Sequence, residues 1–481
     1  MKEKSMGING IINGIRTIVS LIFPLITYKY VSTVLGVDNL GRYQFSHSAI
    51  DYFVLLSALG ISTYAIREGV AYRDSRQNLS KFVSEVFSIN LISTFISYIL
   101  LGVLLLISPK FYSYSSLILV LSINMIFTTL GCEYVFNTYE EYLYVAVRSL
   151  IMQLIALLMM FLFVKEEKDV VVYAFTVVLS CSGAQLISVF KLKKYCDIRF
   201  TINRGLLVHL TPILILFANS VATKVYVASD NIILGLLRDD HCVGLYTAAG
   251  KIYSVLKQTV RAIITVSVPR LASLWGKGLE DQFRKKANKI VCALITFCFP
   301  AAIGLFSLSR EAILILFNAE FLEAQVPLQM LCFAFAFCTF NWFYFSCIMV
   351  PCKKDKEVVK ATTVSAILNI VLNIILIPSY GATAAAFTTL LSEACSLFIC
   401  MWETRNIYKP SINAKDIVNV LFGGLYILVV CLVIRHFVED LWLKTILCVG
   451  ISVPGYFGIQ YFLGNTVVKS LIGLVLRKRK N

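Results

Sequence analysis

Charge is scarce in this sequence. Of 481 residues only 15% are Asp, Glu, Lys or Arg, whereas 58% are hydrophobic and the mean hydropathy is +0.78. A soluble chain carries about 25% charged residues, so that class is excluded. Histidine is sparser still: His47, His209, His241 and His436 lie far apart in sequence. The fourteen cysteines include no C-x-x-C pair and fall mostly inside apolar runs, as with Cys181, Cys292, Cys332, Cys395 and Cys431. They read as small buried hydrophobes, with no metal site or disulfide framework expected. Long polar loops are missing as well, which leaves no room for a soluble domain.

What the chain has in abundance is apolar runs of about 20 residues, each long enough to cross a hydrocarbon layer of about 30 Å. The first is no cleavable leader: its apolar core exceeds the usual length, no small-residue cleavage site follows, and a second run comes at once. Fourteen spans are predicted, near 8–33, 41–65, 82–107, 112–137, 143–164, 170–190, 206–228, 243–268, 288–309, 325–350, 358–377, 381–402, 416–434 and 442–463. The fold class expected is therefore all-α and polytopic.

The net charge of +16 would suggest nucleic acid in a soluble protein, but here its placement explains it. Sorted by alternate loops, 29 of the 44 basic residues fall on one side and 8 on the other, with 7 inside spans. Basic loops stay in the cytoplasm, which places both termini there. A missed span would scramble that alternation. The basic tail KSLIGLVLRKRKN is suited to anionic membrane lipid.

The chain also repeats. Spans one and two are joined by LGVDNLGRY, spans seven and eight by LGLLRDDHCVGLY. In each, the tyrosine of a G-x-Y (Tyr43, Tyr246) is followed by 23 residues and then an arginine at the basic side, Arg67 or Arg270. Two pseudo-symmetric six-helix lobes follow, residues 1–200 and 201–404, with two additional helices and the basic tail in 405–481. Paired lobes with a site at their interface are a common transporter plan.

Inside the spans stand cations that lipid does not tolerate. Arg16 is roughly 12 Å along the first run, a depth at which a cation costs about 2.5–3.5 kcal/mol or more. On a helical wheel Asn9, Asn13, Arg16, Ser20 and Thr27 share an arc of about 60°. On the eighth span Lys251, Lys257, Gln258 and Arg261 keep within about a third of the circumference. On the seventh, Pro212, Asn219, Thr223 and Asp230 align within about 40°, with Lys224 beside them. Snorkelling accounts for residues near span ends, but Lys257 lies near the middle of its span. Intramembrane acids are few, chiefly Asp51 and Asp230. Cations in excess of anions point to a water-filled, positively charged cavity between the lobes, a place for an anion such as phosphate.

Other features carry less. His47 and Asp51, spaced i, i+4, form a protonatable pair suited to ion coupling or a structural hydrogen bond, and Asp230 is a second coupling candidate. Glu133, Glu140, Glu141 and Arg148 crowd one cytoplasmic turn and, with Arg67 and Arg270, form a candidate gate or an ordinary interfacial cluster. The aromatic run FNWFYF, Phe340 to Phe345, reads as packing or an interfacial belt before a sugar platform.

Five stretches then resemble, in order, the Wzx-type oligosaccharide flippases of the polysaccharide-synthesis family, in the superfamily that includes multidrug extruders and lipid II flippases. They are YVSTVLGVDNLGRYQFSHSAIDYFVLLSALG, EYVFNTYEEYLYVAVRS, VGLYTAAGKIYSVLKQTVRAIITVSVPRLASL, FPAAIGLFSLSREAILILFNAEFLEAQVPLQMLCF and NIILIPSYGATAAAFTTLLSEA. The resemblance implies fourteen helices and outward movement of an undecaprenyl-pyrophosphate-linked O-antigen or capsule repeat unit across a bacterial inner membrane by alternating access. It implies that Arg16, Lys224, Lys251, Lys257 and Arg261 hold the head group. It also implies partnership with the polymerase and chain-length machinery of the same pathway. Glu133 and Tyr134 depart from the family, which often has aspartate and tryptophan there. No bond is broken in such transport, so no catalytic residue and no cofactor is expected, although a proton or sodium gradient would drive it.

Two rivals stay open. A multidrug/cation antiporter would present carboxylates to its substrate in place of lysines. A membrane-embedded polymerase or glycosyltransferase would carry a substantial external loop, whereas the longest here has about fourteen residues and no D-x-D motif. The charge pattern makes its own prediction. A reporter active only in the cytoplasm should work when fused after Asn481 and fail when inserted near Asp239; the reverse result removes the assigned orientation.

Overall fold

The computed structural model describes residues 6–470 apart from Ile412, and within that range all side chains except those of residues 6–26, 219, 222, 223, 226, 227, 259, 262 and 263. The sequence-derived candidates Asn9, Asn13, Arg16, Ser20, Asn219 and Thr223 therefore lie outside the described side chains, and most of the basic tail lies outside the described residues.

Every regular element among the described residues is helical. The chain opens with α1 (Met6–Ala58), α2 (Ile61–Gly69), α3 (Arg76–Ile107), α4 (Pro109–Ser113), α5 (Ser115–Gly131) and α6 (Glu133–Thr138). Next come α7 (Tyr142–Phe163), α8 (Val170–Val178), a π-helical stretch at Leu179–Gly183, α9 (Ala184–Leu192) and α10 (Gly205–Leu237). The remainder is α11 (Asp240–Gly276), α12 (Glu280–Ser307), α13 (Ser309–Leu316), α14 (Gln325–Phe343) with a π-helical end at Tyr344–Met349, α15 (Asp355–Glu403), α16 (Ala414–Phe437) and α17 (Leu441–Phe462).

Nine of the described helices are long and apolar enough to cross a membrane. Two of the longest hold two predicted spans each. The 53 residues of α1 and the 49 of α15 exceed what one crossing needs, and both bend where a glycine leaves helical geometry: Gly36 at φ 72° and Gly381 at φ 54°. Divided there, the helices lie along the predicted spans in order, although α5, α10 and α11 are not among the nine. Other spans are interrupted. The expected second span breaks at Leu59 and Gly60, both at positive φ, and the fourth breaks at Cys132, φ 40°. The protein is a multi-pass, all-α membrane protein.

The helices are built inside out relative to soluble ones. On α3 the buried face carries Ser84, Glu85, Ser88, Asn90, Ser93, Thr94 and Ser97, whereas Leu91, Phe95, Ile99 and Leu106 are exposed. In lipid, small and hydroxyl side chains let helices approach and hydrogen-bond across the contact. Asn90 and Ser93 both donate to the Ser57 carbonyl, at 2.8 and 2.5 Å, and the Thr94 and Thr129 hydroxyls lie 2.7 Å apart.

Two compact units divide the chain, residues 1–235 and 236–481. In the first, Tyr43 is buried with its ring centroid 4.7 Å from that of Tyr173 on α8. In the second, the Tyr246 hydroxyl lies 3.2 Å from that of Thr389 on α15. Each G-x-Y tyrosine thus meets the sixth span of its own repeat. The last two helices belong to the second unit: the Tyr456 hydroxyl on α17 donates to the Thr296 carbonyl at 2.8 Å, and Arg435 on α16 pairs with Glu311 on α13, Nε to Oε1 being 3.0 Å.

The kink at Gly381 is tested by substitution. Its φ of 54° with ψ of −130° is a glycine conformation, and a Cβ there would stand 2.9 Å from the Cys242 sulfur. Gly381→Ala should cost about 1–3 kcal/mol in thermal unfolding of the detergent-solubilised protein. Adding Cys242→Ala should recover little of it, because the larger part is backbone strain.

Candidate functional site

In the first unit α1 and α10 meet through charge. Lys224 Nζ donates to Asp51 Oδ2 at 2.6 Å, and His47 Nδ1 lies 3.8 Å from the same oxygen. His47 and Asp51 share one face of α1 because four residues make about one turn. Together they line a recess with an empty volume of about 260 Å³, walled also by Leu121, Asn124, Val178 and Cys181, the last within the π-helical stretch. Lys224 is thus compensated by the carboxylate that the sequence assigned to ion coupling, and desolvation of either charge alone is what favours the pair. Asp230, half-buried two turns further along α10, is itself engaged with its surroundings.

A second polar cluster in this unit escaped the sequence reading. Tyr64 on α2, Glu85 on α3 and His209 on α10 are all buried. The Tyr64 hydroxyl is 2.7 Å from His209 Nδ1, His209 Nε2 is 3.0 Å from Glu85 Oε2, and Asn203 Nδ2 donates to Glu85 Oε1 at 3.0 Å. Glu85 stands in VSEVFSIN at the head of an apolar run, and a lone acid so placed was the available signal. Among the candidate gate residues, Arg148 Nη2 donates to Glu133 Oε2 at 2.6 Å, with the guanidinium 5.4 Å from the rings of both Phe136 and Tyr144. Arg67 pairs instead with its neighbour Glu68, at 2.9 Å, and Arg270 is exposed.

In the second unit the cations of α11 behave differently. Lys257 Nζ lies 4.3 Å from the centre of the Tyr253 ring, and the Arg261 guanidinium carbon 3.7 Å from that of Trp342. Among the described residues neither has a carboxylate within ion-pair distance. With Val260, Phe335, Cys338, Thr339 and Trp342 they line a recess with an empty volume of about 220 Å³ between α11 and α14. One α-helical turn separates Lys257 from Arg261, which is why both reach one recess. Lys251 and Gln258 are half-buried on the same helix, and Lys251 is engaged elsewhere. The nearby acid Glu393, a further residue the sequence reading passed over, is occupied by Asn341, whose Nδ2 donates to Oε2 at 2.7 Å. Two cations whose side-chain contacts among the described residues are aromatic faces are a ready receptor for an anion with several oxygens.

Residues 7–275, more than half of the chain, match the polysaccharide biosynthesis protein family. The chain belongs to that family. Residues 257–453 also match the lipid II flippase MurJ family. An uncharacterized membrane protein of Methanocaldococcus jannaschii is 24% identical over 262 residues, 52% of this chain and 51% of the relative, so the match spans about half of that protein. A putative O-antigen transporter of Shigella dysenteriae is 23% identical over 77% of this chain and 93% of its own length. In structure the chain is similar to lipid II flippase MurJ in its inward closed conformation, with a TM-score of 0.74 at 17% identity, covering 95% of this chain and 98% of that one. The shared fold is that of MurJ.

The Lys224–Asp51 pair predicts an asymmetry. Lys224→Met strands a carboxylate and should lower stability by about 1–2 kcal/mol, less than the 3–5 of a fully buried pair, because both side chains are nearly 30% exposed. Lys224→Met with Asp51→Asn should recover most of that loss in the same thermal assay. A double variant less stable than the single one refutes the pairing.

Proposed function

We propose that the protein is a flippase that moves an anionic, lipid-linked oligosaccharide from the cytoplasmic to the outer leaflet of a bacterial inner membrane, with both of its own termini in the cytoplasm. The observation that carries this reading is the pair Lys257 and Arg261, two cations on a helix that the sequence assigns to a span, with aromatic partners and, among the described residues, no carboxylate partner. A lipid pyrophosphate supplies the missing negative charge. Arginine binds such oxygens bidentately and lysine as a point charge.

In this proposal substrate enters a cationic cavity and the protein moves it by alternating access, biased by a proton or sodium gradient. Asp51 is suited to the coupling. It holds Lys224 and touches His47, so binding of a proton or sodium ion there releases a lysine and changes the charge of the recess. Lys251 and Arg16 contribute further positive charge by their sequence positions. The reaction moves a molecule and breaks no bond, so it calls for no catalytic side chain or cofactor. The polymerase and chain-length machinery that receive the repeat unit are the proposed partners. The name of one relative, a putative O-antigen transporter, agrees with this substrate class. A cation antiporter fits less well, because the acid of the first recess is already neutralised by Lys224.

Charge reversal tests the reading. Lys257→Glu and Arg261→Glu should each abolish surface polysaccharide while membrane expression persists, and lipid-linked repeat units should accumulate on the cytoplasmic leaflet. Lys257→Arg should retain export. Normal surface polysaccharide in the double charge-reversal variant removes the proposal.

A further inference from the structure

The aromatic run from Phe340 to Phe345 divides into two roles. Phe343 and Tyr344 are buried, with ring centroids 5.8 and 6.1 Å from that of Tyr408, and Asn341 is tied to Glu393. Those residues are packing. Trp342 differs. It is half-buried, it lines the recess with Lys257 and Arg261, and the Arg261 guanidinium carbon lies over it, 3.7 Å from the ring centre.

Arg261 is exposed and its described partner is that ring. A cation–π contact at an accessible position is weak, whereas a bidentate pair with a phosphate is charge-assisted and stronger. An arriving phosphate therefore draws the guanidinium off the indole. What the movement uncovers is an apolar aromatic plate one side chain away from the phosphate. A sugar bonded directly to a phosphate has the same adjacency: its ring, with an apolar face of C–H groups, begins at the atom that bears the phosphate oxygen.

We propose that Trp342 is the platform for the sugar unit joined directly to the lipid pyrophosphate, and that Arg261 covers it in the empty protein and holds phosphate in the loaded one. This rests on the flippase reading and deepens it by assigning a residue that reads the first sugar. Aromatic contact of this kind discriminates by roughly threefold to tenfold in affinity.

The test uses the purified full-length protein and two soluble probes in calorimetry: geranyl pyrophosphate, and geranyl pyrophosphate carrying one N-acetylglucosamine. The wild type should bind the glycosylated probe roughly threefold to tenfold more tightly. Trp342→Leu should bring that ratio to about one while affinity for the bare probe changes by less than about twofold. Trp342→Phe should keep an intermediate ratio and guards against misfolding of the leucine variant. The difference in emission between wild type and Trp342→Phe should change when the bare probe binds, because the guanidinium leaves the indole. Equal binding of both probes by wild type, a sugar preference that survives in Trp342→Leu, or loss of both probes alike in Trp342→Phe overturns the platform. Binding of both probes that is unaltered in Lys257→Gln with Arg261→Gln overturns instead the phosphate reading beneath it.

Discussion

A charge that leaves water must find a partner. That constraint organises this protein more than any other, because an unpaired ion in a low-dielectric medium costs several kcal/mol even after relaxation. The described structure answers it in most places with a carboxylate. Lys224 has Asp51, Arg148 has Glu133, Arg435 has Glu311, and Glu85 has His209 with Asn203. Each of these pairs joins two different segments of the chain. They act as fasteners as well as neutralisers: α16 is tied to α13 by Arg435, and the start of α10 to α2 and α3 by His209. Among the described residues Lys257 and Arg261 are exceptions with aromatic partners, and an anionic substrate is proposed on their account.

The backbone obeys the same rule. No water is at hand in hydrocarbon to take a freed carbonyl, so a long helix turns back only where few hydrogen bonds are lost. Gly36 and Gly381 make single-residue turns of that kind, and both lie where one span gives way to the next. The two π-helical stretches are gentler departures, since they keep bonds to a more distant carbonyl. Each stands beside a candidate site. The first contributes Cys181 to the recess of His47 and Asp51, and the second begins two residues after Trp342.

Fold was far more legible in the sequence than the site was. Apolar runs, the one-sided distribution of lysine and arginine, and the spacing of Tyr43 and Tyr246 to Arg67 and Arg270 are properties of a single segment or of a simple period. They survive being read in one dimension. Partnerships do not. Asp51 and Lys224 are 173 residues apart and Glu85 and His209 are 124 apart, so helical periodicity reveals which face each residue occupies and nothing about the face opposite. That is why the sequence did not pair Lys224 with Asp51 and why the buried cluster of Tyr64, Glu85 and His209 went unseen. Trp342 was hidden for another reason: within FNWFYF it has the composition of its packed neighbours, and only exposure and the guanidinium above it set it apart. Lys257 and Arg261 could be singled out as candidates because a cation in the middle of an apolar run is conspicuous by itself.

The choice of aromatic rings as partners for those two cations has a mechanistic consequence. In the proposed cycle the carrier returns without its cargo, and in that state the cations proposed to hold the phosphate need some other company. A carboxylate would serve too well: breaking a buried ion pair costs about 3–5 kcal/mol, which every arriving substrate would have to overcome. Bare hydrocarbon would serve too badly, since the empty form would then be the costly one. A ring face lies between, at about 0.5–2 kcal/mol, enough to hold a guanidinium or ammonium in place and little enough for a phosphate to displace it. The recess of α11 and α14 is thus electrostatically unfinished in a graded way. In the proposed cycle its cations are settled when alone and still better settled when an anion arrives, and that difference is the free energy that would drive a change of state on loading.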